Sequence, residues 1–349
     1  MNRSILIGGC GSSGTTLLAH LLNASNSIFC GPELNLFNKL KLYLQPFKYT
    51  YRDFLALLKN GIPTTGNCET DLLSESTHRK PASTRNFMLD LDVYDYTEYQ
   101  VSKIASECQS FFEFSNKFYE PCLKKEKKII WAEKTPTNVY CIKEFLSLFS
   151  SGLYIHIVRD GRDVVPSLMK RGYDAEAAIR RWIHDTAAGY HFREHEKCLI
   201  IKYEDLVTHP KKIIKKIFQF TDISENVELL IRKARNSSRM YNLHNEWNFR
   251  PDQEISNSAM LKWKRSDYSD KAFLEQLFKH THLDETLASN WGMPLPCNGN
   301  DLLTLFGYDA SDNWNVNPKY GLRFLWFYFQ ESIISLLRPR KLYCTVTLS

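Results

Sequence analysis

Residues 9–18 read GCGSSGTTLL. Gly9 and Gly14 keep the spacing of a phosphate-binding loop, yet Thr15 stands where that loop carries its lysine. The small residues Gly11, Ser12, Ser13 and Gly14 let backbone N–H groups converge on an anion. The hydroxyls of Ser12, Ser13, Thr15 and Thr16 add donors. Such a loop suits an anion of modest charge, or one served by cations from elsewhere in the chain. The same residues would also make a serine- and glycine-rich turn with an ordinary helix cap.

A second stretch, IHIVRDGRDVVPSLMKRG, places Arg159 at a strand end and Ser167 in the helix that follows. Ligands of open α/β sheets bind at strand C-termini, and an arginine there can grip a phosphate through two parallel hydrogen bonds. Arg162 and Asp163 read as a pair of neighbouring surface charges. His156, within YIHIV, reads as a satisfied core residue. His20 and His184 receive no role.

The elements that must position these residues alternate. SILIGG is a short buried strand, and TTLLAHLLNAS is a helix with Leu17, Leu18, Leu21 and Leu22 on one face. The opening loop therefore lies between a strand and a helix, where a phosphate cradle belongs. Residues 34–128 are less regular, with helices expected near 98–119 and around 50–59. The acidic run of Asp90, Asp92, Asp95 and Glu98 reads as a solvated turn before a helix rather than a metal site. From 129 on, KIIWAEK, GLYIHIV and KCLIIKYEDL are strands. TPTNVYCIKEFLSLF, DGRDVVPSLMKRG, AEAAIRRWIHDTAAGYHFREH and HPKKIIKKIFQFTDI are helices. This alternation predicts an α/β fold, a P-loop-like parallel sheet flanked by helices.

The chain has 349 residues, 43% apolar and 24% charged, with a net charge of +6. That mild basicity favours an anionic ligand without implying nucleic acid. Nine cysteines occur without a CxxC pair, so a zinc ribbon is not expected and reduced thiols in a cytoplasm are. No residue cluster calls for a metal. The N-terminus enters a strand too soon for a secretory signal. The apolar segment 321–341 is interrupted by Arg323, Gln330 and Glu331, short of the roughly 20 apolar residues of a spanning helix. Its aromatic part, 320–337, reads as a helix packed on the core, with a membrane or partner contact as the alternative.

Taken in order, these stretches resemble the sulfotransferases that use 3′-phosphoadenosine 5′-phosphosulfate (PAPS), over residues 4–33 and 129–265. SSGTT at 12–16 is similar to their loop for the 5′-phosphosulfate. Arg159 and Ser167 match their grip on the 3′-phosphate, and Tyr203-Glu204-Asp205 matches a recurring triplet. The resemblance is nearest to the tyrosylprotein and bacterial carbohydrate branches. It implies the three-layer α/β/α arrangement, Glu33 in CGPELN as catalytic base and Lys134 in AEKTPTN beside the transferred group. Lys262 and Trp263 match the late Lys-Trp segment that closes over the nucleotide, Trp263 reading as a packing residue. One position departs: Ser12 stands where the family carries lysine or arginine. The missing charge then falls to Lys134 and the helix N-terminus.

The resemblance implies sulfonate transfer from PAPS to a hydroxyl of a sugar, a peptide tyrosine or a small metabolite, without metal. A P-loop-type kinase or NTPase, and a catalytically weak relative that binds nucleotide or glycan, are the competing readings. Residues 1–294 are expected to form one domain, with an insertion at about 34–128 and an appended region at 295–349. Oligomeric state is left open, a homodimer included.

Overall fold

The computed structural model describes residues 3–43, 47, 91, 94–236, 255–265 and 271–311. The helix expected around 50–59, the acidic residues Asp90 and Asp92 and the aromatic segment 320–337 lie outside the described residues.

Among the described residues the sheet has five parallel strands: β1 (Ser4–Gly9), β2 (Ile28–Cys30), β3 (Ile130–Lys134), β4 (Gly152–Val158) and β5 (Cys198–Lys202). Their order is β2-β3-β1-β4-β5. Side chains alternate between two covered faces, as a parallel sheet requires. Leu6, Trp131 and Tyr154 enter one apolar cluster, while Ile5, Ile7, Ile155 and Ile157 enter another. From β1 the chain leaves towards one edge of the sheet, and from β4 towards the other. That divergence opens a crevice at their C-terminal ends.

The face of Ile5 and Ile7 is covered by α1 (Thr15–Asn23) and, later in the chain, by three further helices. The opposite face is packed by α2 (Glu98–Ser106), α3 (Phe111–Glu126) and α4 (Ile142–Leu148). Its aromatic cluster includes Tyr119 stacked on Trp131, ring centroids 4.7 Å apart. Beyond β4 follow α5 (Gly161–Met169) and α6 (Ala175–His191). After β5 come α7 (Tyr203–Thr208), α8 (Pro210–Thr221) and α9 (Val227–Asn236), which complete the cover over Ile5 and Ile7. Then α10 (Lys262–Arg265), α11 (Lys271–His280), α12 (Glu285–Asn290) and α13 (Gly299–Leu305) pack with α5 and α6 in a third cluster around Trp182 and Trp263.

Two expected helices are each divided. The helix expected over 98–119 is α2 and α3, because Ser110 is extended and caps α3 through the Glu113 amide. TPTNVYCIKEFLSLF is a 3-10 turn at Pro136–Tyr140 followed by α4. Among the described residues no helix is long and apolar enough to cross a membrane. The seven described cysteines are all free thiols.

Candidate functional site

The loop between β1 and α1 is bent by residues at positive φ: Gly9 at 147°, Ser12 at 71° and Gly14 at 92°. Gly14 precedes α1, which has no side-chain cap and no acidic residue in its first turn. The helix thus presents its first amides and their partial positive charge at the crevice. A Cβ on Gly14 would overlap the Tyr203 ring, so the close approach needs glycine as well as the positive φ. The Ser13 hydroxyl is buried with no hydrogen-bond partner among the described residues.

On one side of the loop stands Arg159, one residue past β4. Its Nη1 donates to the Ser12 carbonyl at 2.9 Å and its Nη2 to the Ala259 carbonyl at 2.5 Å. The guanidinium lies over the Tyr203 ring, 4.6 Å from its centroid. Ser167 Oγ donates to Ser12 Oγ at 3.1 Å. The loop, Arg159, Ser167, Tyr203 and the 259–265 segment therefore form one contiguous group. Arg159 Nε is buried without a hydrogen-bond partner among the described residues. Lys262 is exposed on α10, and Trp263 beside it is fully buried, in keeping with its reading as a packing residue.

On the other side stand Glu33, three residues past β2, and Lys134, the last residue of β3. Lys134 Nζ pairs with Glu33 Oε2 at 2.7 Å and reaches Thr16 Oγ1 at 3.4 Å. The lysine side chain is 3% exposed and the glutamate 25%, so the carboxylate is the more accessible end of the pair. The pair is 101 residues apart in sequence and is brought together by β2 and β3 lying side by side.

Two expectations need correcting. Arg162 and Asp163 are buried and do not pair with each other. Arg162 forks onto Asp160 and stacks on Trp263 at 4.0 Å. Asp163 stands 3.5 Å from Arg159 and accepts the Trp263 amide at 3.0 Å. The cause is the turn into α5, which points both side chains inward under the 259–265 segment. His156 is a core residue, but only Nδ1 has a partner, the Tyr154 hydroxyl at 3.3 Å; Nε2 has none among the described residues.

Sequence reasoning missed Arg181 and Glu133. Arg181 on α6 sits beside Gly11 and pairs with Asp185 at 3.4 Å. Its signal was the four-residue spacing to Asp185 on a strong helix. Glu133 was marked by being a carboxylate directly after the apolar run Ile130–Ala132 of a buried strand. Burial pushes its carboxyl up to about 7, against hydrogen bonds from Thr135, Asn138 and Leu34 that favour the charged form. Among the described residues no group of three or more His, Cys, Asp or Glu could hold a metal ion.

A sequence profile described as the sulfotransferase family matches residues 4–226. The chain belongs to the sulfotransferase family. It is 24% identical over 237 residues to the protein-tyrosine sulfotransferase of Drosophila melanogaster, covering 65% of this chain and 39% of that one. It is 26% identical over 236 residues to protein-tyrosine sulfotransferase 1 of Danio rerio, covering 65% and 55%. The chain thus spans less than two thirds of these relatives' own length. The sulfotransferase domain of the Synechococcus PCC 7002 olefin synthase superposes with a TM-score of 0.48 at 20% identity, covering 88% of this chain and 95% of that domain. The matched region of this sulfotransferase contains the loop, Glu33, Lys134, Arg159, Ser167 and Tyr203, but not Lys262.

Proposed function

We propose that this sulfotransferase moves a sulfonate group from PAPS to a hydroxyl of its acceptor. The supporting observation is the chain of contacts Thr16–Lys134–Glu33, which sets a cation and an accessible carboxylate against the loop. The residues fit the donor: among the described residues the buried Ser13 hydroxyl and Arg159 Nε both lack hydrogen-bond partners, and the α1 N-terminus has no side-chain cap. Gly11, Ser12, Ser13, Gly14, Thr15 and Thr16 would hold its 5′ side. Arg159, Ser167, Tyr203 and Lys262 would hold its 3′-phosphate end. Bound PAPS would supply the sulfonate and, in the bisphosphate, its leaving group.

The protein's own part is positional and electrostatic. Glu33 takes the proton of the attacking hydroxyl, which is a weak nucleophile at neutral pH. Lys134 presents its charge where negative charge grows on oxygen. Ser12 supplies a hydroxyl and a carbonyl that tie the loop to Ser167 and Arg159. It places no cation there. A nucleotide kinase is not favoured, since the lysine of its loop is absent and the chain belongs to the sulfotransferases.

Because two relatives are named for protein tyrosine, a tyrosine peptide is the first acceptor to try, ahead of sugars and small phenols. Calorimetry should show binding of adenosine 3′,5′-bisphosphate without added metal. Glu33→Gln should keep that affinity and lose about a hundredfold or more in turnover of PAPS. Stabilisation by ATP with Mg²⁺ alone, or full turnover by Glu33→Gln, would overturn the reading.

A further inference from the structure

Glu133 has no part in the scheme above, yet it lies between its two proposed actors. It precedes Lys134 at the end of β3 and is 1% exposed. Its Oε1 accepts from the Leu34 amide at 3.2 Å and from Thr135 Oγ1 at 2.7 Å. Its Oε2 accepts from Asn138 Nδ2 at 2.6 Å, and that amide also donates to the Ile7 carbonyl in β1 at 3.1 Å. Thr135 Oγ1 in turn accepts from the Asn35 amide at 3.1 Å. Leu34 and Asn35 are the two residues after Glu33, and Asn35 holds a left-handed φ of 52°.

We propose that Glu133 is a positioning residue: its buried carboxylate, together with Thr135, suspends Leu34 and Asn35 from the end of β3 so that Glu33 meets Lys134. This rests on the proposed roles of Glu33 and Lys134. Burying a carboxylate is costly, and an apolar residue would fill the same space more cheaply. What the carboxylate adds is multiple acceptor sites at one point. Two of its donors are the immediate chain neighbours of Glu33 and Lys134. The third, Asn138, carries the connection to the central strand. A turn held by such a node has one geometry, and the 2.7 Å pair beside it inherits that geometry.

Substitution separates this role from ordinary packing. In Glu133→Gln one amide hydrogen would face the Asn138 donor, so the node loses an acceptor while keeping its volume. In Thr135→Val the link to Asn35 is lost while shape is kept. At pH 8, above the range in which burial keeps Glu133 protonated, hydrogen exchange on the full chain should speed up by about tenfold or more at Leu34 and Asn35 in both variants, with the β4 amides of Ile155 and Ile157 unchanged. Affinity for adenosine 3′,5′-bisphosphate should stay within about twofold, because the node does not touch the loop's amides. With PAPS and a tyrosine peptide, kcat should fall by about tenfold or more at constant KM for PAPS. Unchanged exchange at Leu34 and Asn35, equal acceleration across β4, or wild-type kcat in both variants would each overturn the proposal. If the wild type turns over no PAPS, the functional reading fails by itself, and exchange alone decides whether the tether exists.

Discussion

Arg159 directs both ends of its guanidinium at backbone carbonyls, Ser12 in the loop and Ala259 near α10. It therefore fastens two distant segments before any ligand arrives, and Tyr203 roofs it from above. Lysine would keep a charge near Asp163 but could not fork to two carbonyls. Arg159→Lys should weaken adenosine 3′,5′-bisphosphate binding by about tenfold, roughly 1.4 kcal/mol, while affinity for 5′-AMP changes less. Equal losses for both nucleotides in a titration would remove Arg159 from the 3′-phosphate end.

At the level of elements, the loop works because a strand ends and a helix begins with glycines at the bends. Gly14→Ala would strain a φ of 92° and push a methyl group into Tyr203. It should cost about 1–3 kcal/mol in stability and lower bisphosphate affinity; a thermal melt identical to the wild type would contradict that geometry. These bends were legible in the residues. GLYIHIV is β4 from end to end, and SILIGG is β1. Apolar runs bounded by glycine report themselves locally. The division of the 98–119 helix was also written locally, in the Ser110 cap, but it competes with an unbroken apolar pattern on either side. Glu133 and Asp163 were not legible in role, because their partners lie far along the chain: Leu34 is 99 residues from Glu133, and Trp263 is 100 from Asp163. A buried charge becomes intelligible only once folding has supplied its partner. Arg162 and Asp163 read as surface neighbours for the same reason.

Across the whole molecule, buried titratable groups pull stability in opposite directions as pH falls. Burial lowers His156 to about 3 and His184 to about 4, and lowers His20 as well. Arg180 adds to the shift of His184, against Asp284. The unfolded chain takes up these protons near pH 6.5 and the folded chain does so only further down, so stability drops as pH falls below about 6.5. Glu133, with the Glu33 carboxylate as its charged neighbour, has the opposite sign. Its folded carboxyl keeps a proton up to about 7 against 4.5 when unfolded, so acidification through that window stabilises the fold. Chemical denaturation from pH 8 to pH 5 should therefore fall less steeply in His156→Phe, by about 2 kcal/mol at pH 5, and more steeply in Glu133→Gln. Parallel curves for wild type and both variants would refute the two assignments.

The strand order carries a consequence for biosynthesis. β1 is made first of the five strands, yet its two partners in the sheet, β3 and β4, begin at Ile130 and Gly152. A growing polypeptide must carry Ile5, Leu6 and Ile7 with neither edge of their strand hydrogen-bonded while more than a hundred further residues are added. At about 5–20 residues per second that wait is several seconds or longer, a window in which an uncovered apolar strand is open to wrong pairing. The clamp on Arg159 is completed later still, when Ala259 has been added. Nascent chains arrested before and after that point should therefore differ in nucleotide retention, and holdase chaperones should engage the earlier ones.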